Sequence, residues 1–92
     1  MAGLALLVLY TARLEECREF YAGLGLPLRP ERHGGSPAHY AAELPGGLVL
    51  ELYPAGPGRE SGPVRLGFTV PGVTERRLLT DPDGRTVELT GC

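Results

Sequence analysis

Gly47-Leu-Val-Leu-Glu51-Leu52 and Gly84-Arg-Thr-Val-Glu88-Leu89 are two versions of one pattern. Each follows turn-forming residues, and each sets a glutamate inside an otherwise apolar strand. An unpaired carboxylate in such a strand is costly to bury, so it is normally paired, protonated or bound to a cation. The repeat therefore predicts two related β-modules and marks Glu51 and Glu88 as candidate site residues.

Working outward from the first copy, His39 to Leu44 and Leu48 to Tyr53 read as two strands around Pro45-Gly46-Gly47. A three-residue loop puts Leu44 opposite Leu48 and Ala41 opposite Glu51. His39, Ala41, Glu51 and Tyr53 then share one mixed face, while Tyr40, Ala42, Leu50 and Leu52 form an apolar face suited to packing on a helix. That helix is expected just upstream, where Leu14, Cys17, Phe20 or Tyr21, and Leu24 recur at helical spacing, with Thr11 as its N-cap and Gly23 and Gly25 as its stop. Residues 4 to 10 are nearly all aliphatic and read as a strand covered on both faces. A further strand is expected from Leu26 to Arg32, followed by a turn at His33-Gly-Gly-Ser-Pro37.

Working outward from the second copy, Asp81-Pro-Asp-Gly84 suits a type I turn followed by a left-handed glycine, joining strands Arg77 to Thr80 and Thr86 to Thr90. Val64 to Val70 is another alternating strand. Only Pro71-Gly-Val-Thr-Glu75 separates it from the hairpin, too little for a helix. The fold class is α+β: a βαβββ module over about 1–54, a Pro- and Gly-rich connector over 55–63, and a shortened, hairpin-rich second module over 64–92. One domain, one main helix and a curled mixed sheet around a cavity are expected.

Composition narrows the partners. Nine Lys+Arg against eleven Asp+Glu, with no basic run, leave no electrostatic footprint for nucleic acid. The apolar start is too short to span a bilayer and lacks the positive flank of a secretory signal, so no membrane partner and a cytoplasmic location are expected. Cys17 and Cys92 make neither a disulfide framework nor a Cys-x-x-Cys metal pair.

Several segments together resemble the vicinal oxygen chelate superfamily, which includes glyoxalase I, the bleomycin-resistance proteins and the extradiol dioxygenases. They are Leu9 to Tyr21 with Leu24-Gly25-Leu26, the Glu51 strand, Leu66-Gly-Phe-Thr-Val70, and Asp81-Pro-Asp-Gly-Arg-Thr-Val-Glu88-Leu89. The resemblance implies paired βαβββ modules curling around a cavity, with metal ligands at four positions that fall here on Leu6, Glu51, Arg65 and Glu88. Leucine offers no donor atom and a guanidinium stays protonated, so no metal cofactor is expected. Arg65 would supply the positive charge instead, pairing with Glu51, Glu88 or both; both carboxylates also read as plain solvated residues on an open sheet face.

His39 reads either as a proton carrier or ligand contact near Glu51 or as a surface imidazole, and Tyr53 either as a stacking surface for a planar ligand or as core. His33 reads as a solvated turn residue. The expected function is binding of a small organic ligand without a metal, at Glu51, Arg65, Glu88, His39 and Tyr53. The apolar side of the second module (Leu66, Phe68, Val70, Leu78, Val87 and Leu89) lacks a covering helix, so a homodimer is expected to cover it. One alternative is a divalent-metal-dependent lyase, isomerase or dioxygenase using Glu51 and Glu88, with His39 as a further ligand. The other is a shortened, non-catalytic paralogue acting through oligomerisation.

Overall fold

The computed structural model describes residues 1–91; the reading of Cys92 lies outside the described residues. The chain is α+β, with one helix and two mixed sheets. It divides into two units, Met1–Ser61 and Gly62–Cys92, whose boundary falls within the Pro- and Gly-rich connector.

In the first unit, β1 (Leu6–Thr11), α1 (Leu14–Gly23), β2 (Arg29–Glu31), β3 (His39–Glu43) and β4 (Val49–Pro54) follow one another. The strands lie in the order β1-β4-β3-β2. β1 runs parallel to β4, and the other two pairings are antiparallel. The β3–β4 register sets Ala41 against Glu51, and the Leu44 N–H bonds the Leu48 carbonyl at 2.8 Å. Gly46 and Gly47, at φ 93° and 96°, adopt the left-handed conformation that this turn demands.

α1 covers the face of the sheet that carries Leu9, Ala42, Leu50 and Leu52, all at most 1% exposed, together with its own buried Cys17 and Tyr21. The helix ends in a Schellman motif. The Leu26 N–H reaches the Tyr21 carbonyl and the Gly25 N–H reaches that of Ala22, with Gly25 at φ 104°. A second tie joins helix to sheet: the Tyr40 hydroxyl donates to the Glu15 carboxylate at 2.5 Å. That bond, together with Arg18, holds the Glu15 carboxyl below its ordinary range, and it raises the Tyr40 phenol.

Three expectations need correction in this unit. Thr11 is not the N-cap, because β1 continues through it and the helix begins beyond Arg13; its hydroxyl instead accepts the Arg13 N–H at 2.9 Å. β1 lies at the sheet edge and is not covered on both faces: Leu6 and Tyr10, on the face turned away from α1, stay 52% and 44% exposed. Part of its outer edge is occupied by the connector: the Tyr10 N–H donates to the Ser61 hydroxyl, and the Ser61 N–H to the Tyr10 carbonyl, both at 2.9 Å. The strand expected over Leu26 to Arg32 shrinks to Arg29–Glu31, since the helix cap takes the backbone of Gly25 and Leu26.

In the second unit, β5 (Leu66–Thr69), β6 (Arg77–Thr80) and β7 (Thr86–Thr90) form a sheet in the order β5-β7-β6. β5 and β7 are parallel; β6 and β7 make the antiparallel hairpin. No helix stands between Val70 and Arg77, where Gly72 at φ 90° turns the chain. The register puts Leu79, not Leu78, beside Val87, so Leu78 is 54% exposed on the opposite face. Leu66, Val87 and Leu89 are already buried in the single chain. Phe68 and Val70 of the same set are only half-buried and Leu78 is exposed, so part of the apolar surface first offered as the reason for dimerisation remains.

The hairpin turn is locked by charge. Asp81 and Arg85 are 4% and 3% exposed and pair at 2.8 Å, while Arg85 also reaches Asp83 at 3.0 Å. The other Asp81 oxygen accepts the backbone N–H groups of Asp83 and Arg85, both at 2.9 Å. No helix among the described residues is long and apolar enough to cross a membrane.

Candidate functional site

The sheet face of the first unit that turns away from α1 carries a row of rings and carboxylates. Because β1 and β4 are in parallel register, Tyr10 lies beside Tyr53, ring centroids 5.8 Å apart. Tyr53 stacks on His39 at 4.0 Å with only 12° between the planes. His39 stands opposite Glu31 across β2–β3, and the turn that follows β2 brings the His33 ring to 5.3 Å from that of His39. The row thus runs Tyr10, Tyr53, His39, with Glu31 and His33 at its far end and Glu51 alongside.

His39 is buried, contrary to the surface-imidazole alternative. Its Nδ1 lies 3.1 Å from the Pro37 carbonyl oxygen, and its Nε2 lies 3.4 Å from Glu31 Oε1 and 3.8 Å from Glu51 Oε2. Neither carboxylate contact has hydrogen-bond geometry, and Nε2 has no hydrogen-bond partner among the described residues. Glu31 is also bound by His33 Nε2 at 3.1 Å, and this bond is the main cause that holds its carboxyl below the ordinary range. Burial, followed by the nearby Glu51 charge, raises the Tyr53 phenol. Tyr10 also borders a groove of about 760 Å³ between Pro54 and Glu60.

In the second unit, Glu88 Oε1 is shared by two guanidinium groups: Arg65 at 3.1 Å, and Arg76 at 2.6 Å through its Nη2 and 2.9 Å through its Nε. Arg76, then Arg65, hold the Glu88 carboxyl below its ordinary range. A carboxyl depressed in the folded chain stabilises it above the unfolded-state value, and that contribution disappears as pH falls through the folded value. The stability lost in Glu88→Gln is therefore expected to be visible at neutral pH and to vanish well below about pH 4, the ordinary carboxylate range. Urea titrations of both proteins at the two pH values check this; an equal difference at both would contradict it.

The structure thus brings His39, Glu51 and Tyr53 together in the first unit, and Arg65 with Glu88 in the second. Three participants had no role assigned from sequence. Glu31 becomes a neighbour of His39 only through the β2–β3 pairing, Arg76 lies just outside β6, and His33, taken for a plain turn residue, folds back onto Glu31. The turn residues Gly34 and Ser36 were the available signal for that hairpin.

The four positions that the resemblance would give to a metal do not fit one. Leu6 has no donor atom, and Glu88 is already engaged by two permanent cations. Among the described residues, the cluster whose donor atoms converge is Glu31, His33 and His39, all within 4.8 Å of one another.

No family model matches the chain, and no curated protein matches it in sequence. Solved structures do match in fold. The oxidase ChaP-H2 superposes with a TM-score of 0.68 at 16% identity, over 99% of this chain and 94% of that one. TnmS3, an antibiotic-binding protein from Streptomyces sp. CB03234, gives 0.66 at 16% identity over 99% and 96%. The integron cassette protein VCH_CASS1, from the mobile metagenome of V. cholerae, gives 0.64 at 20% identity over 97% and 94%. At such identities the likeness is one of architecture alone.

Proposed function

We propose that the chain is a cytoplasmic, homodimeric protein that binds a flat organic molecule bearing a positive or hydrogen-bond-donating group, without a metal at the four family positions. The observation that carries this reading is the Tyr10–Tyr53–His39 row, edged by Glu31 and Glu51. Tyr10 and Tyr53 offer area to a planar ring system, the buried His39 backs Tyr53, and the carboxylates accept from the ligand's polar groups. The antibiotic-binding neighbour TnmS3 supports the same reading. On the second unit, the Glu88 cluster with Arg65 and Arg76 is proposed as a contact of its own for a small charged molecule. The metal-dependent alternative on Glu51 and Glu88 is not favoured, given the two arginines on Glu88.

Proflavine, a planar aromatic cation, is a suitable probe. The chain has four tyrosines and no tryptophan, so quenching of tyrosine emission reports on Tyr10 and Tyr53 against a low background. Saturable binding in the presence of EDTA is expected, with a light-scattering mass of twice the chain's. Tyr53→Ala is expected to weaken affinity at least about tenfold, or ~1.4 kcal/mol. Absence of saturable quenching, or an unchanged affinity in Tyr53→Ala, would refute the aromatic row as the binding surface.

A further inference from the structure

We infer that Glu31, His33 and His39 form a binding site for one divalent cation of the zinc, cobalt or nickel class, at the end of the β2–β3 hairpin. The site lies outside the four family positions and does not require the organic ligand.

The first ground is geometric. His33 Nε2 and His39 Nε2 lie 3.1 Å and 3.4 Å from the same oxygen, Glu31 Oε1. Around a tetrahedral ion with bonds of about 2.0–2.1 Å, neighbouring donors stand ~3.3 Å apart; the two spacings to Glu31 Oε1 match this, and all three donor atoms lie within 4.8 Å of one another.

The second ground is the tautomer of His39. The Pro37 carbonyl can only accept, so Nδ1 carries the hydrogen and donates it at 3.1 Å. A neutral ring then presents a lone pair at Nε2. That atom is buried, has no hydrogen-bond partner among the described residues, and faces the carboxylates of Glu31 and Glu51. A lone pair confronting two acceptors is repulsive, and a cation placed among them turns each of those contacts into an attraction. A histidine that donates one ring N–H to a backbone carbonyl while its other nitrogen is free is also the arrangement in which protein-bound metals find imidazole, because that bond fixes the ring.

The donor chemistry selects the class of ion. Two imidazoles and a carboxylate suit zinc, cobalt or nickel, whereas magnesium and calcium prefer oxygen throughout. Glu51, with Oε2 3.8 Å from His39 Nε2, is the nearest further donor; otherwise water completes the shell.

Zinc chloride added to the chelator-stripped full-length chain tests the site. The chain has only two histidines, so the imidazole Cε1–H region of a carbon–proton NMR spectrum contains two signals. Both are expected to move until one equivalent of zinc has been added and then stop. By calorimetry, Glu31→Gln and His33→Ala are each expected to weaken zinc binding at least about tenfold, while Cys92→Ser binds as the native chain does. His33 is exposed and Glu31 half-buried, so both variants should fold, and circular dichroism verifies it. A histidine signal that stays in place at one equivalent, a smaller loss in either variant, or a loss in Cys92→Ser would overturn the proposal. The proflavine titration, performed in EDTA, succeeds or fails independently of these results.

Discussion

Asp81→Ala is expected to destabilise the chain by about 3–5 kcal/mol, the usual consequence of breaking a buried ion pair. The substitution leaves Arg85, whose side chain is 2% exposed, with Asp83 as its one carboxylate partner among those described, and removes the oxygen that accepts two turn N–H groups. A domain of this length has a total stability on the order of 5–14 kcal/mol, so the loss is a large fraction of it. The melting temperature should fall by roughly 12–40 °C, at about 4–8 °C per kcal/mol for a domain of this size. Adding Arg85→Met to the variant should recover part of this loss, since no guanidinium then remains buried in the turn, but not the two backbone bonds. Thermal unfolding followed by circular dichroism measures both; a shift of only a few degrees in Asp81→Ala would show that the ion pair is replaceable by solvent.

Leu52→Ala should remove about 2–5 kcal/mol, because Leu52 is fully buried on the helix-facing side of β4 and its loss leaves a cavity. Its two sequence neighbours, Glu51 and Tyr53, point to the other side of the sheet. The folded fraction of Leu52→Ala is therefore expected to keep native proflavine affinity although its unfolding midpoint in urea falls. Tyr53→Ala should show the opposite pattern, a modest change in midpoint with a large change in affinity. Loss of affinity in folded Leu52→Ala would mean that the two faces of the strand are not independent.

Both hairpins were legible because their turn chemistry and alternation agree. Pro45-Gly46-Gly47 fixed the loop length, and with it the pairing of Ala41 with Glu51 that sorts the two faces. The α+β class and the missing helix after Val70 followed from periodicity and length in the same way. What periodicity could not supply was the order of strands that are not joined by tight turns. β1 reads as a buried strand because it is aliphatic, yet it lies at the edge, and nothing local to Leu6 or Tyr10 reports that. The candidate site was half legible for the same reason. His39, Glu51 and Tyr53 belong to one hairpin and could be placed on one face. Glu31 and His33 reach that face only through a pairing across the His33-Gly-Gly-Ser-Pro37 turn. Leu78 was assigned to the wrong side because the alternation of β6 is blurred by two adjacent leucines, and register alone decides which of them goes in.

The two bonds between Ser61 and Tyr10 give the connector a duty beyond joining the two units. An outermost strand with open amides is a template onto which another molecule can zip, the first step toward fibrous deposits. By occupying the Tyr10 amide and carbonyl, a single serine caps that template near the C-terminal end of β1. The proline- and glycine-rich stretch thereby denies that one position of the open edge to a neighbouring strand.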